Sequence, residues 1–153
     1  MRLLSAYAYD NSGWRLRPVT GFLTLKEYLY HLAFKMYPAT QYLRHYVNRD
    51  YNPEPDLIHD VFGHVSTLMN PGVYELHHKA GLASLGASDE VRELIAAVLW
   101  YTFEVGLCYD EQGKRSLLGG SLLSSVDEAT LAMNPMTPLS DIGDLNSLRY
   151  SDI

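Results

Sequence analysis

The most apolar segment of the chain, residues 94–106, contains a single charged side chain, Glu104. Apolar residues occupy nearly every side of a helix drawn through this segment, so the helix should lie at the centre of the fold. A carboxylate buried there is strongly disfavoured unless it pairs, binds a metal or takes up a proton. Taken alone, a salt bridge or a turn of Glu104 towards water is the more common explanation.

Two histidines, His59 and His64, lie five residues apart in another helical segment. On a regular α-helix this spacing separates the side chains by about 140°, which suits a shared ligand less well than a spacing of four. The pair alone is therefore a weak metal signal, and a core histidine beside a helix-end histidine would explain it. A distortion of the helix near Gly63 would bring the two rings together.

His59, His64 and Glu104 together are more informative than each alone. Two imidazoles and one carboxylate leave coordination positions open on a metal, which is the arrangement of the non-haem Fe(II) oxygenases. Zinc bound by two histidines and a glutamate is the competing interpretation. The His-Glu-x-x-His pattern of zinc peptidases does not occur here, which argues against peptidase chemistry.

Hydrophobic periodicity predicts a mostly α fold with a small β component. We expect a strand and turn over residues 1–13, a helix that begins at the Thr24–Glu27 capping box and ends at Pro38, and an irregular connection over 39–53. Pro55 is expected in the first turn of the histidine-bearing helix. Further expected elements are a helix over 73–84, the central helix from Ser88 to about Gly106, strands 107–109 and 116–118, and a helix over 126–133.

The composition fits one domain over residues 1–153, with a flexible tail over 134–153. The net charge of -6 without blocks of like charge predicts no nucleic-acid or anionic-membrane partner. No stretch approaches the roughly 20 apolar residues of a membrane span. Cys108 is the single cysteine, which excludes an internal disulfide and fits a reducing, cytoplasmic location.

Several short motifs, spread in order over residues 13–128, resemble the pterin-dependent aromatic amino acid hydroxylases, which act on phenylalanine, tyrosine and tryptophan. The matching runs are 15–21, 40–45, 53–56, 59–64, 81–87, 104–108 and 122–125. The resemblance implies that His59, His64 and Glu104 bind Fe(II). It also implies that a tetrahydropterin (tetrahydrobiopterin-like) cofactor meets five residues: Gly21, Phe22, Leu23, Tyr28 and Asp60.

For the substrate, the resemblance implies that Arg44 grips the carboxylate of an aromatic amino acid while Asp56 holds Arg44. A planar guanidinium suits such a bidentate grip. The remaining implied substrate-binding residues are Asn52, Pro55, Trp100 and Ser124. The implied activity is monooxygenation of the aromatic ring with O2.

The chain departs from the family pattern at several positions, where Asn52, Asp60, Ser66, Leu99 and Ser121 replace threonine, glutamate, proline, tyrosine and glycine respectively. The family's catalytic domain also has a long portion ahead of the matched region, so one wall of the pocket would come from elsewhere, for example from a homodimer partner. These departures keep two alternatives open. One is an iron oxygenase that needs no pterin or acts on a modified or carrier-linked aromatic; the other is a non-catalytic metal-binding module.

Overall fold

The computed structural model describes residues 1–47, 50 and 54–139. Helices predominate in this part of the chain, which confirms the mostly α class with a small β component. Strands β1 (Arg15–Pro18) and β2 (Met36–Ala39) pair in parallel, and β3 (Leu107–Tyr109) and β4 (Arg115–Leu117) pair antiparallel. The α-helices of the described residues are α1 (Arg2–Ser12), α2 (Leu25–Ala33), α3 (Pro71–Ser84), α4 (Asp89–Leu99), α5 (Gly120–Leu123) and α6 (Val126–Met133).

Two segments that carry the predicted metal ligands form π-helices. The histidine π-helix spans His59–Val65 and the glutamate π-helix spans Trp100–Glu104, directly after α4. Pro55 lies ahead of the first of these, and the carboxylate of Asp56 accepts a hydrogen bond from the His59 N–H at 3.0 Å. The expectation of Pro55 in the first helical turn was therefore wrong, because Asp56 takes the capping position.

Helix α1 replaces the strand and turn predicted for residues 1–13, so that prediction was wrong. Ala8 and Ser12 lie four residues apart and form the buried face of this helix. Gly13 adopts a left-handed conformation with φ of 77° and donates its N–H to the Tyr9 carbonyl, which ends the helix. Tyr7 and Tyr9, whose alternation suggested a strand, are both exposed.

Helix α2 begins as predicted and ends earlier than predicted. Both hydrogen bonds of the Thr24–Glu27 capping box are present, at 3.3 Å and 2.9 Å. The helix ends at Ala33, and Lys35 takes a positive φ of 51° that turns the chain into β2. Pro38 therefore lies inside a strand of a two-stranded sheet, where one side of the strand needs no N–H donor.

The other predicted elements are close to those observed, with the central helix changing from α to π form at Trp100. A core of buried apolar side chains lies between α2, α3 and α4 and supports the histidine π-helix. Its largest members include Trp14, Leu29, Leu32, Tyr37, Leu68 and Phe103. Among the described residues, no helix has both the length and the apolar character required to cross a membrane. Asn52 and residues 140–153 of the predicted flexible tail lie outside the described residues.

Candidate metal centre

The π-helical form of the first segment overcomes the unfavourable spacing of the histidines. In a π-helix each N–H bonds to the carbonyl five residues earlier, as the Ser66 N–H does to the Val61 carbonyl at 3.2 Å. Residues five apart consequently lie about one turn from each other. The Nε2 atoms of His59 and His64 are 2.9 Å apart, so both rings face the same point.

Glu104 reaches that point from the end of the glutamate π-helix, where the Val105 N–H bonds to the Trp100 carbonyl at 3.1 Å. Its Oε1 atom lies 2.8 Å from His64 Nε2, and its Oε2 atom lies 3.5 Å from His59 Nε2. The potential ligand atoms of the three side chains all lie within 4.8 Å of one another. The structure thus brings the three predicted ligands together.

This geometry fits a bound transition metal. Two ligand atoms that bind one cation at about 2.1 Å, at right angles to each other, lie about 3 Å apart. The separations of His64 Nε2 from His59 Nε2 and from Glu104 Oε1 match that value. Two imidazole nitrogens and one carboxylate oxygen are the donors of the non-haem iron sites. The three side chains could therefore supply three ligands to one cation and leave its remaining coordination positions for other ligands.

The three side chains shift one another's pKa values even without a cation. Burial would raise the pKa of Glu104, but the charge of His64 and its hydrogen bond lower that pKa to about 2. Burial lowers the pKa of His64, yet Glu104 raises it above its ordinary value overall. Burial and the charge of His64 together lower the pKa of His59. The carboxylate is thus ionised and ready to bind a cation at neutral pH.

Ser124 orients the His59 ring. The Ser124 hydroxyl donates to the Gly120 carbonyl at 2.7 Å, and its oxygen lies 3.1 Å from His59 Nδ1. Because the hydroxyl proton is already used, His59 Nδ1–H is the donor in the second contact. That tautomer leaves the Nε2 lone pair of His59 directed at the metal centre.

Arg44 and Asp56 form a buried pair beside the centre. The Arg44 Nη2 and Nε atoms donate to the two Asp56 oxygens at 2.6 Å and 3.0 Å, which is a bidentate contact. Arg44 Nη1 also donates to the Ser124 carbonyl at 2.9 Å. Burial would raise the pKa of Asp56, but hydrogen bonds from Arg44 and from the His59 backbone lower it to about 2. Asp56 therefore fixes both Arg44 and the start of the histidine segment.

A cavity of about 200 Å³ opens beside His59 and Glu104. Its other lining residues come mainly from the loop before α2, from α2 itself and from β2. They include all five residues that the resemblance assigned to the pterin, namely Gly21, Phe22, Leu23, Tyr28 and Asp60. Pro55, assigned to the substrate pocket, lines the same cavity. The fold thus places the predicted cofactor residues next to the predicted metal ligands.

Asp60 is held by the end of β2 rather than directed freely into this cavity. Its Oδ2 atom accepts hydrogen bonds from the Thr40 backbone N–H at 2.6 Å and from the Thr40 hydroxyl at 2.7 Å. The Tyr37 hydroxyl donates to Oδ1 at 3.4 Å. Only 3 % of Asp60 is exposed, so these contacts satisfy most of its acceptor capacity.

A second, smaller cavity of about 100 Å³ adjoins the centre on the side of His64 and Glu104. Trp100 lines it together with Leu99, Phe103 and His77. Trp100 therefore approaches the centre from a different side than Pro55. His77 is almost fully buried, and its ring lies 4.2 Å from that of Phe103 between ring centroids.

Sequence reasoning gave no role to four side chains that contact the site. Thr40 and Tyr37 hold Asp60, His77 lines the second cavity, and the Ser121 hydroxyl donates to Glu104 Oε2 at 3.0 Å. In the sequence, Ser121 is only a departure from the family pattern. These contacts join segments far apart in the chain, so no local sequence pattern could predict them.

Known proteins resemble the chain over most of its length. A sequence model of the family described as biopterin-dependent aromatic amino acid hydroxylase matches residues 1–142. Tyrosine 3-monooxygenase of Drosophila melanogaster is 42% identical over 131 residues, covering 86% of this chain and 22% of that protein. Phenylalanine-4-hydroxylase of Caenorhabditis elegans is 37% identical over 138 residues, covering 90% of this chain and 30% of that protein.

Solved structures of aromatic amino acid hydroxylases also resemble the chain in fold. Phenylalanine hydroxylase of Colwellia psychrerythraea superposes with a TM-score of 0.82 at 32% identity, over 87% of this chain and 51% of that one. The Chromobacterium violaceum phenylalanine hydroxylase with iron(III) and 7,8-dihydrobiopterin bound gives 0.82 at 30% identity, over 88% and 49%. The chain spans about half of these structures and a fifth to a third of the two curated relatives. With its sequence, its fold and its cluster of two histidines and a glutamate in agreement, the chain belongs to the biopterin-dependent aromatic amino acid hydroxylase family.

Proposed function

We propose that the protein is an Fe(II)-dependent monooxygenase that hydroxylates the ring of an aromatic amino acid with O2 and a tetrahydropterin. The observation that carries this proposal is the convergence of His59, His64 and Glu104 next to a cavity lined by the predicted pterin residues. Because the chain spans only part of its relatives, their activity is an inference for this protein. We also propose that the protein is located in a reducing compartment such as the cytoplasm, which the exposed free thiol of Cys108 supports.

When bound, iron would supply a redox-active centre with open coordination positions, and the pterin would supply two electrons. The chain itself supplies orientation and charge. His59, held by Ser124, and His64, held against Gly120, present fixed nitrogen atoms, and Glu104 adds one negative charge. This charge offsets half of the charge of a divalent cation.

Arg44 is proposed to bind the carboxylate of the substrate. Asp56 fixes the plane of its guanidinium, and the Ser124 carbonyl ties it to the turn that also orients His59. The positive charge therefore lies at a constant position relative to the metal centre. An amino acid bound there would extend its ring towards Pro55 and Trp100, which approach the centre from different sides.

The residues that line the larger cavity beside the centre support a place for the pterin. Tyr28 is partly buried, and burial raises the pKa of its hydroxyl far above the usual range, so the ring stays neutral. A neutral aromatic face suits stacking on a planar heterocycle. The same cavity is lined by Gly21, Phe22 and Leu23, and we expect their backbone polar groups to meet the edge of such a ring.

The test is direct turnover. Purified protein is loaded with Fe(II) without oxygen, mixed with phenylalanine, tyrosine or tryptophan and tetrahydropterin, and then exposed to air. We expect one amino acid to yield a ring-hydroxylated product that is absent when Fe(II) or the pterin is omitted. Full iron loading without any hydroxylated product would contradict the proposal and favour the metal-binding module.

A second candidate is an iron oxygenase of the same fold that needs no pterin. The observation that favours it is the commitment of Asp60 to Thr40 and Tyr37, which leaves the carboxylate with little capacity to bind a cofactor. Turnover that persists without pterin, and in a Tyr28→Ala variant, would support this candidate. An absolute requirement for pterin would rule it out.

A further inference from the structure

Two serine hydroxyls, one in the short helix α5 and one directly after it, each contact one of the three predicted metal ligands. Ser124 accepts from His59 Nδ1–H, as described above, and Ser121 donates to Glu104 Oε2 at 3.0 Å. The partner of Ser121 is an ionised carboxylate, and hydrogen bonds to ionised groups are stronger than those between neutral groups. One helical turn thereby contacts ligands from both π-helices.

The backbone around α5 leaves Ser121 little freedom to move. Gly119 packs so closely on the end of the glutamate π-helix that a Cβ atom there would lie 2.2 Å from the Glu104 carbonyl oxygen. The Gly119 N–H also donates to the Gly106 carbonyl at 2.9 Å. The start of α5 is thus attached to the segment that carries Glu104, which holds the backbone of Ser121 beside that carboxylate.

The two oxygens of Glu104 have different surroundings. Oε1 lies 2.8 Å from His64 Nε2. Oε2 lies farther from the ligand nitrogens, 3.5 Å from His59 Nε2, and accepts the hydrogen bond from Ser121. We propose that Ser121 is a positioning residue: its hydroxyl fixes the rotamer of Glu104 so that the carboxylate meets the cation through Oε1. The inference rests on the proposed function only in taking His59, His64 and Glu104 as a metal site.

The experiment measures binding of Co(II), a spectroscopic substitute for Fe(II), to the protein and to Ser121→Ala, Ser121→Gly and Ser121→Thr variants. Competition with a chromophoric chelator gives the dissociation constant, and visible absorption reports the coordination of Co(II). Ser116→Ala is the matched control, because Ser116 is a partly buried serine of β4 away from the ligands. Thermal unfolding of the metal-free proteins checks that each variant folds.

We expect the alanine and glycine variants to bind Co(II) roughly 10–100-fold more weakly, the range typical when a hydrogen-bond partner of a metal ligand is lost. The threonine variant, which keeps the hydroxyl, should bind within about threefold of the parent and restore its absorption spectrum. Equal affinities and spectra for the folded parent, alanine and glycine proteins would overturn the inference. If the parent binds Co(II) but shows no turnover with Fe(II), the proposed function fails while the affinities still decide the role of Ser121. A parent that binds no Co(II) overturns both.

Discussion

The imidazole of His64 lies directly against the backbone of Gly120, where an added Cβ atom would come within 2.6 Å of both Cε1 and Nε2 of the ring. Gly63, next to His64, makes the reciprocal approach, since a Cβ atom there would lie 2.6 Å from the Gly120 carbonyl oxygen. The histidine π-helix and α5 therefore touch through two residues without side chains. Because His64 is only 2 % exposed, its ring has no room to move aside.

The first prediction follows from this contact. Gly120→Ala should displace the His64 ring and weaken metal binding by at least the roughly 10–100-fold seen when outer contacts of a site are lost. Metal titration by calorimetry measures the effect. Gly72→Ala is the control, because its Cβ atom would meet only the Asn70 side chain, at 3.3 Å. Equal affinity in both variants would mean that the position of His64 does not depend on Gly120.

The second prediction concerns the charge of Glu104. Glu104→Gln keeps the shape of the side chain and removes its negative charge, so a divalent cation would meet two neutral imidazoles and an amide. We expect iron content after loading to fall close to zero, a larger loss than for an outer contact. Metal analysis after gel filtration provides the measurement. Glu111→Gln, which changes an exposed carboxylate in the turn between β3 and β4, should load like the parent.

The third prediction tests the bidentate contact between Arg44 and Asp56. Lysine keeps the charge of Arg44 but cannot contact both oxygens of Asp56 in the same plane. Arg44→Lys should lower the free energy of unfolding by about 1–3 kcal/mol, because part of a buried carboxylate loses its donors. It should also raise KM for the amino acid roughly tenfold, equivalent to about 1.4 kcal/mol of binding.

Urea unfolding and steady-state kinetics measure the two effects of Arg44→Lys separately. Arg2→Lys, which changes an arginine in the exposed N-terminal turn of α1, provides the control. An unchanged KM together with reduced stability would assign Arg44 a purely structural role and remove it from the proposed substrate site.

The fourth prediction concerns pH and His77. Burial lowers the pKa of this imidazole from 6.5 to about 4, while its hydrogen bond to the Val73 carbonyl opposes the shift. The charges of the nearby His64 and Glu104 act on it in opposite directions. Between about pH 6.5 and 4 the unfolded chain binds a proton at His77 that the folded chain does not bind. Stability should therefore fall as the pH drops from about 6.5 towards 4, by up to roughly 3 kcal/mol.

Urea unfolding of metal-free protein between pH 7.5 and 4.5 tests whether stability falls as the pH drops. His77→Gln should show a flatter dependence on pH than the parent, since the titrating group is gone. His45→Gln, which replaces an exposed histidine, should keep the parent's slope. A parent that gains stability as the pH falls through this range would show that His77 is not the group responsible.

Local patterns in the sequence predicted much of the fold. The capping box of Thr24 and Glu27 and the cap at Ser88 depend on contacts between residues three apart, and both occur in the structure. The largest difference is α1, because its buried face consists of the small residues Ala8 and Ser12, which give little hydrophobic signal. The alternation of Tyr7 and Tyr9 then suggested a strand, although both side chains face solvent.

The sequence by itself determined which side chains could bind a metal, because the motifs around His59, His64 and Glu104 are local strings of residues. Only the tertiary structure decided how they meet. The change from α to π geometry depends on the packing of whole segments, and that change turned an unfavourable five-residue spacing into adjacent rings. The approach of Gly120 to His64 and the contact of Ser121 with Glu104 join segments 56 and 17 residues apart. Such contacts follow from the packing of the core, which no short stretch of sequence specifies alone.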